Sequence, residues 1–423
     1  MDDSLNESLK KRIRQARAKF AAMAATYFAG VLNDNFFKQS SLLIAVAAGK
    51  SHLQGWAVVV FTAPFILFAA PAGFCADRFS KRSIVIASKF LELAAMIFAA
   101  LGIYFLNWNL IFVTLFIMGL QSTLFGPSLS GTIPELYPSE YVVTANAFIR
   151  MASTGAILTG IALAGFVLDI KGSIGNVPMG YAMVSCAIVG IAAIGVIVSL
   201  GVPKFPAASP NAKFPWSGPL NSVKTLYNIR KDCLLAITIT AKAFFWLMGS
   251  LNVLVINKLG IEQFGLTNTL TSALFIIILV GIALGSLLSP KLAKGEKWFR
   301  ILSPAALTMA LCMFIVAIVP ELPVPARKTT IISALALLGI AGGLFSVPLT
   351  SFVQVRPSPD RKGRTIAASS FADFTGILIS GGVFHLLNSW NIKPSNCFAV
   401  SGAMTTLIAI WLFIILRGKK IND

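Results

Sequence analysis

Long apolar runs of similar length alternate along this chain with short polar ones. Segments 20–48, 54–76, 83–106, 109–131, 143–168 and 179–201 are predominantly apolar. After a stretch rich in Pro, Ser and Lys, the pattern resumes at 232–258, 265–289, 299–320, 329–353, 365–387 and 395–416. A helix needs about 20 apolar residues to cross a bilayer, so each run predicts one span. None shows the period-two alternation of a barrel strand, and only helices or closed barrels satisfy the backbone in lipid. The expected fold is an all-α membrane protein, with twelve transmembrane helices in two six-helix bundles, 20–201 and 232–416. A basic segment 1–19 precedes them, a linker 202–231 joins them and a tail 417–423 follows. No small-residue cleavage site follows the first apolar run, so it is read as an uncleaved helix.

Composition agrees. Of 423 residues, 56% are hydrophobic and 12% charged, about half the charge of a soluble domain. The net charge of +19 would suit nucleic acid, but the basic residues sit in short clusters between apolar runs and act as topology signals. With the N-terminus inside, 25 Lys and Arg fall in the inner segments and 6 in the outer loops; Lys38, Lys89, Arg150 and Lys242 fall within spans. That bias predicts cytoplasmic termini and a cytoplasmic linker. The five cysteines are far apart and there are two histidines, so no metal centre is expected. No phosphate-binding GxxxxGK[ST] loop occurs, and no cofactor is expected.

The two halves echo each other. The fourth run carries Gly119-Leu120-Gln121 and Phe125-Gly126-Pro127; the tenth carries Gly342-Gly343-Leu344-Phe345 and Pro348. Ala145 to Arg150 in the fifth matches Ala368 to Asp373 in the eleventh, and Asp34-Asn35-Phe36-Phe37 in the first matches Lys242-Ala243-Phe244-Phe245 in the seventh. Two pseudo-symmetric halves joined by a polar linker is a transporter layout, with the substrate site between repeats. The alignment sets Asp34 opposite Lys242 and Arg150 opposite Asp373. A charge inside a span costs roughly 2.5–3.5 kcal/mol on insertion scales and marks function by default. Candidate substrate or coupling residues are therefore Asp34, Asn35, Lys38, Gln121, Asn146, Arg150, Lys242 and Asp373. Asp34 and Lys242 are expected either to pair in one access state or each to face water. The spacings Asp34–Lys38 and Lys89–Glu92 also fit plain structural bridges.

The loop after the second run reads GxxxDRxxKR, from Gly73 to Arg82. Gly73 is expected to let helices approach, and Asp77 to accept hydrogen bonds from Arg or a helix N-terminus. Arg78, Lys81 and Arg82 complete a gating loop, with Lys81 and Arg82 anchored on the inner leaflet. The equivalent loop, 285–291, lacks the acid, so the gate would be asymmetric.

This loop resembles the signature of the major facilitator superfamily. Within it, the chain resembles the lysophospholipid transporter family from about residue 20 to 415. The matching residues are Asn33 to Gln39, Gly73 to Arg82, Phe125-Gly126-Pro127, Gly131 to Leu136, Ala145-Asn146, Gly342 to Phe345, Pro348-Leu349 and Gly363 to Ala367. Two cations common in that family are absent: Leu129 stands in place of a Lys, and Asn252 or Val253 near the place of an Arg. The resemblance implies a secondary transporter or flippase in a bacterial inner membrane. It would move a lysophospholipid or related amphiphile by alternating access, as a monomer among membrane lipids. The alternative is a proton- or sodium-coupled exporter of amphipathic drugs or metabolites, with Asp34 as the coupling carboxylate. Some relatives are fused to an acyltransferase, which needs a His and an Asp at fixed spacing. The residues after His52 and His385 include no such acid, so no enzymatic activity is expected.

Overall fold

The computed structural model describes residues 2–417 apart from 138, 205, 208, 209, 212, 213, 217, 294, 359 and 360. The tail from 418 onwards and the side chains of 2–13, 15, Leu129 to 131, 134, 139–144, 147, 295–297 and 362 also lie outside the described residues. The helices are α1 Asp2–Ala47, α2 Leu53–Leu67, α3 Ala69–Arg78, α4 Lys81–Tyr104, α5 Trp108–Leu136, α6 Ser139–Leu168 and α7 Met179–Ser199. They continue with α8 Gly218–Ile229, α9 Cys233–Lys258, α10 Asn268–Leu292, α11 Leu302–Ile318, α12 Val324–Val355, α13 Lys362–Ser389 and α14 Pro394–Leu416. A two-residue hairpin, β1 Ser173–Ile174 with β2 Val177–Pro178, connects α6 to α7.

Among the described residues, ten helices are long and apolar enough to cross a bilayer, and α2 with α3 makes an eleventh as one broken span. The expected count of twelve is thus not reproduced by length and composition. The remaining segment belongs to α1, where Asn33, Asp34, Asn35, Lys38, Gln39, Ser40 and Ser41 interrupt the apolar run. The α2–α3 break bends by 50° and has a covalent cause. Pro64 lies inside α2 and Pro71 in the first turn of α3, and a proline removes a ladder N–H and crowds the preceding turn.

The chain forms two compact units, Met1–Ser41 with Val60–Pro219, and Leu42–Val59 with Leu220–Asp423. In the first, α4 packs on α5 and α7, and α3 on α5. There α6 also meets α1 closely: a Cβ on Gly160 would lie 2.7 Å from the Leu32 carbonyl oxygen. In the second unit, α11 packs on α12 and α14, α10 on α12, and α9 on α13. Each unit thus repeats one neighbour scheme, in agreement with the internal repeat. The segment Leu42–Val59 is held in the second unit by buried polar contacts. Asn257 donates to Gln54 Oε1 at 3.1 Å, and Ser51 donates to Glu262. A Cβ on Gly55 would lie 2.5 Å from the Gly381 carbonyl oxygen, and one on Gly381 2.5 Å from that of Gly55.

The tightest packing is between α10 and α12. Gly281 and Gly285 are four apart on one helix, Gly339 and Gly343 four apart on the other. A Cβ on Gly285 would lie 2.0 Å from the Ile340 carbonyl oxygen, and one on Gly343 2.3 Å from that of Ile282. In lipid, where apolar association has no aqueous driving force, such close backbone packing is a main source of helix affinity. Gly285→Val should therefore lower the unfolding temperature in detergent, at a cost of about 1–3 kcal/mol or more from overpacking. Gly190→Ala, whose Cβ meets nothing within 4 Å, should leave it unchanged. Equal melting of the two variants would contradict this packing.

Candidate functional site

In the first unit, intramembrane charge gathers where α1, α4 and α5 meet. Lys89 and Glu92 are three apart on one face of α4 and pair at 2.6 Å, both 1% exposed. Glu92 Oε1 also accepts from Asn33 Nδ2 of α1 at 3.1 Å. The Lys89 ammonium lies 5.0 Å from the Phe125 ring centroid and directly against α1 at Gly30. A Cβ on Gly30 would fall 2.3 Å from Lys89 Nζ, so a side chain there would displace the ammonium from its present place. Tyr27 stacks on the other partner of this cation, Phe125, at 6.0 Å. The pair is therefore a pin through α1, α4 and α5, which corresponds to the structural reading of the Lys89–Glu92 spacing.

One residue on from Asn33, Asp34 takes a different environment. Its carboxylate accepts from Ser122 Oγ at 2.6 Å and from Gln121 Nε2 at 3.3 Å. Gln121 also donates to Ser122 at 3.0 Å. Lys38, one turn along α1, forms no ion pair with Asp34 within 4.0 Å; its ammonium sits 5.2 Å from the Phe61 centroid of α2. Asp34 is thus held by neutral donors, and Lys38 is committed to no carboxylate among the described residues. Asn35 folds back on its own helix, donating to the Val31 carbonyl at 2.7 Å. Asn146 and Arg150 are exposed on α6.

In the second unit, Lys242 of α9 pairs with Asp373 Oδ2 of α13 at 2.6 Å and donates to Ser369 Oγ at 3.2 Å. Ser369 and Asp373 share a face of α13, and Gly376 brings the helices together: a Cβ there would lie 2.4 Å from the Ala243 carbonyl oxygen. A pair with Asp34 in one access state was one of the two expectations for Lys242. The structure gives Lys242 a carboxylate within its own unit, which already neutralises it. Asp373 Oδ1 is buried with no hydrogen-bond partner among the described residues.

The loop from Gly73 to Arg82 caps α3 and opens α4. Lys81, nearly buried, pairs with Glu135 of α5. Arg82 donates to the Leu200 carbonyl at 2.8 Å, and Arg78 lies 5.5 Å from the Phe74 ring. Asp77 is exposed and has no hydrogen-bond or ion-pair partner among the described residues. The close-approach role expected of Gly73 is not found: a Cβ there would meet nothing within 4 Å. Gly119 fills such a role nearby, 2.2 Å between its added Cβ and the Phe61 carbonyl oxygen.

The model of the Major Facilitator Superfamily matches residues 20–381. The chain belongs to that superfamily. Among curated relatives, the lysophospholipid transporter LplT of Serratia proteamaculans is 26% identical over 376 residues, covering 86% of this chain and 87% of the relative. The Klebsiella pneumoniae protein of the same name is 25% identical over 392 residues, covering 89% and 92%. Solved structures agree on the fold. A D-xylose–proton symporter superposes with a TM-score of 0.68 at 15% identity, covering 96% of this chain and 97% of the symporter. A structure from a study of proton-dependent oligopeptide transporters gives 0.70 at 12% identity, covering 95% and 98%.

For this superfamily member, sequence reasoning missed Asn33, Phe125, Ser369 and Glu135 as partners of the named charges. The signals were present but weak: Asn33 adjoins Asp34, and Ser369 precedes Asp373 by one helical turn. The pin makes a stability prediction. Breaking a buried ion pair by removing one partner costs about 3–5 kcal/mol, whereas replacing both by apolar groups is often neutral. Lys89→Met and Glu92→Leu should each lower thermal stability in detergent strongly, and the double variant should recover most of the loss. Additive losses would contradict the pin.

Proposed function

We propose that this chain is a secondary transporter or flippase that moves lysophospholipid across the cytoplasmic membrane of a bacterium by alternating access. It works without chemical change to the lipid, with both termini on the cytoplasmic side. The observation that carries the reading is the likeness to lysophospholipid transporters over 84–92% of both chains. The site chemistry is compatible. An amphiphile needs a few polar groups in an otherwise apolar wall, and the polar residues of α1 and α5 are few and set among Tyr27, Phe61 and Phe125. In this reading Lys38 offers an ammonium to an anionic head group, and Asp34 serves the head group or a coupling ion. Asp34 favours the coupling role to the extent that its oxygens are held by neutral donors, which leaves room for a proton or sodium ion.

The test is uptake of a radiolabelled lysophospholipid by spheroplasts expressing the full chain. Lys38→Gln and Asp34→Asn should each reduce uptake by about tenfold or more at equal expression, the effect of losing one charged contact of about 1.5–3 kcal/mol, with recovered lipid unmodified. Unchanged uptake in both variants would overturn the assignment of these residues. Export of many unrelated amphipathic cations, collapsed by a protonophore and with no lysophospholipid uptake, would favour the coupled exporter.

A further inference from the structure

The linker between α7 and α9 contains a helix that neither the transport site nor the gating loop uses. Residues 202–231 hold five Lys and Arg and no acid. Within them α8, Gly218–Ile229, presents three distinct sectors. Ile229, buried, and Leu226, half-buried, pack with Leu235, Ile239, Val353 and Ala368 at the ends of α9, α12 and α13. Another face of the helix is uncovered and is not uniformly polar. Leu220 is 71% exposed, Val223 51% and Tyr227 58%. At 3.6 residues per turn these three fall in one arc of about 60°. Lys224, Asn228 and Asn221, also exposed, fall in the adjoining arc of about 60°. Going round the helix, the order is protein, apolar, polar, with Lys224 on the boundary between the last two.

Covalent structure fixes the depth of this helix. The turn after α8 is closed by hydrogen bonds from Lys231 N to Asn228 O at 3.3 Å and from Asp232 N to Ile229 O at 2.9 Å. Asp232 then caps α9, accepting from Leu235 N at 3.1 Å. Cys233 stands four positions after Ile229, a reach of at most about 14 Å, so α8 is tied to the first turn of a membrane span. At that depth its surroundings are the head-group layer, with acyl chains on one side and water on the other. Tyr227 lies within the apolar arc with Arg230 stacked on its ring, 3.6 Å from the ring centroid. An amphipathic ring beside a guanidinium is the chemistry enriched at membrane–water interfaces.

We propose that α8 is an interfacial anchor: Leu220, Val223 and Tyr227 enter the acyl boundary of the adjoining leaflet, and Lys224, Arg230 and Lys231 bind the phosphates of anionic lipids. The occupant of the exposed face is the bilayer of the protein's own membrane. The charge is complementary, because this acid-free linker opposes an anionic surface. The proposal depends on the spanning fold and not on which substrate is carried.

The experiment places a single bimane-labelled cysteine at Val223 or at Asn228 in full-length protein whose five native cysteines are replaced. The protein is reconstituted in vesicles of phosphatidylcholine with phosphatidylglycerol and a doxyl-labelled phosphatidylcholine. Emission from position 223 should be blue-shifted and quenched by the doxyl lipid about threefold more than emission from position 228, as expected for a helix lying in the interface with one face in lipid. Raising salt, or omitting phosphatidylglycerol, should weaken the difference. Equal, water-like emission at both positions would overturn the anchor. A blue shift at 223 without lipid quenching would also overturn it, and would assign the face to another protein surface or a second copy of the chain.

Discussion

The cost of placing charge in a bilayer governs this structure. Lys89 and Glu92, both 1% exposed, are tolerated only because each neutralises the other at 2.6 Å and because Asn33 and Phe125 share the remaining field. The pair in turn dictates sequence around it. A side chain at Gly30 would displace the ammonium from its place against α1. Lys242 and Asp373 meet the same requirement in the second unit with Ser369 as a third partner. A buried ion pair is by itself weak evidence of stability, since apolar replacement of both partners is often neutral. With both of these cations neutralised locally, Lys38 is the partly buried span lysine left without a carboxylate among the described residues.

Shape does the rest. Where lipid removes the hydrophobic incentive for helix association, glycine supplies close contact, and the α10–α12 seam and the Gly55–Gly381 crossing are built from it. The latter, with Gln54–Asn257 and Ser51–Glu262, joins Leu42–Val59 to the second unit. Any transport cycle has to contend with contacts of these two kinds, buried amide pairs and touching backbones, neither of which lengthens gradually.

Much of this was legible in the sequence. The runs 83–106, 179–201 and 395–416 lie within two residues of α4 Lys81–Tyr104, α7 Met179–Ser199 and α14 Pro394–Leu416, because apolar length is what a bilayer selects. The superfamily was also readable. Partner choice was not. The repeat named Lys242 and Asp373 as candidates, but alignment of two halves gives equivalent positions, not contacts, and so did not reveal that Lys242 meets Asp373. The role given to Gly73 failed for a related reason: a glycine in a motif does not reveal which neighbour, if any, comes close. The helix α8 was passed over because Pro, Ser and Lys dominate the linker, although Leu220, Val223, Leu226, Tyr227 and Ile229 already had helical spacing.

The central claim is that this fold carries a lysophospholipid between leaflets. The most direct measurement uses purified protein in sealed proteoliposomes with a fluorescent lysophospholipid added to the outer leaflet, and follows the fraction that albumin can still extract. The account predicts that the extractable fraction falls faster with protein than in protein-free vesicles, and that unlabelled lysophospholipid slows the fall while a two-chain phospholipid does not. Identical extraction with and without protein, under conditions where the protein is folded, would contradict it.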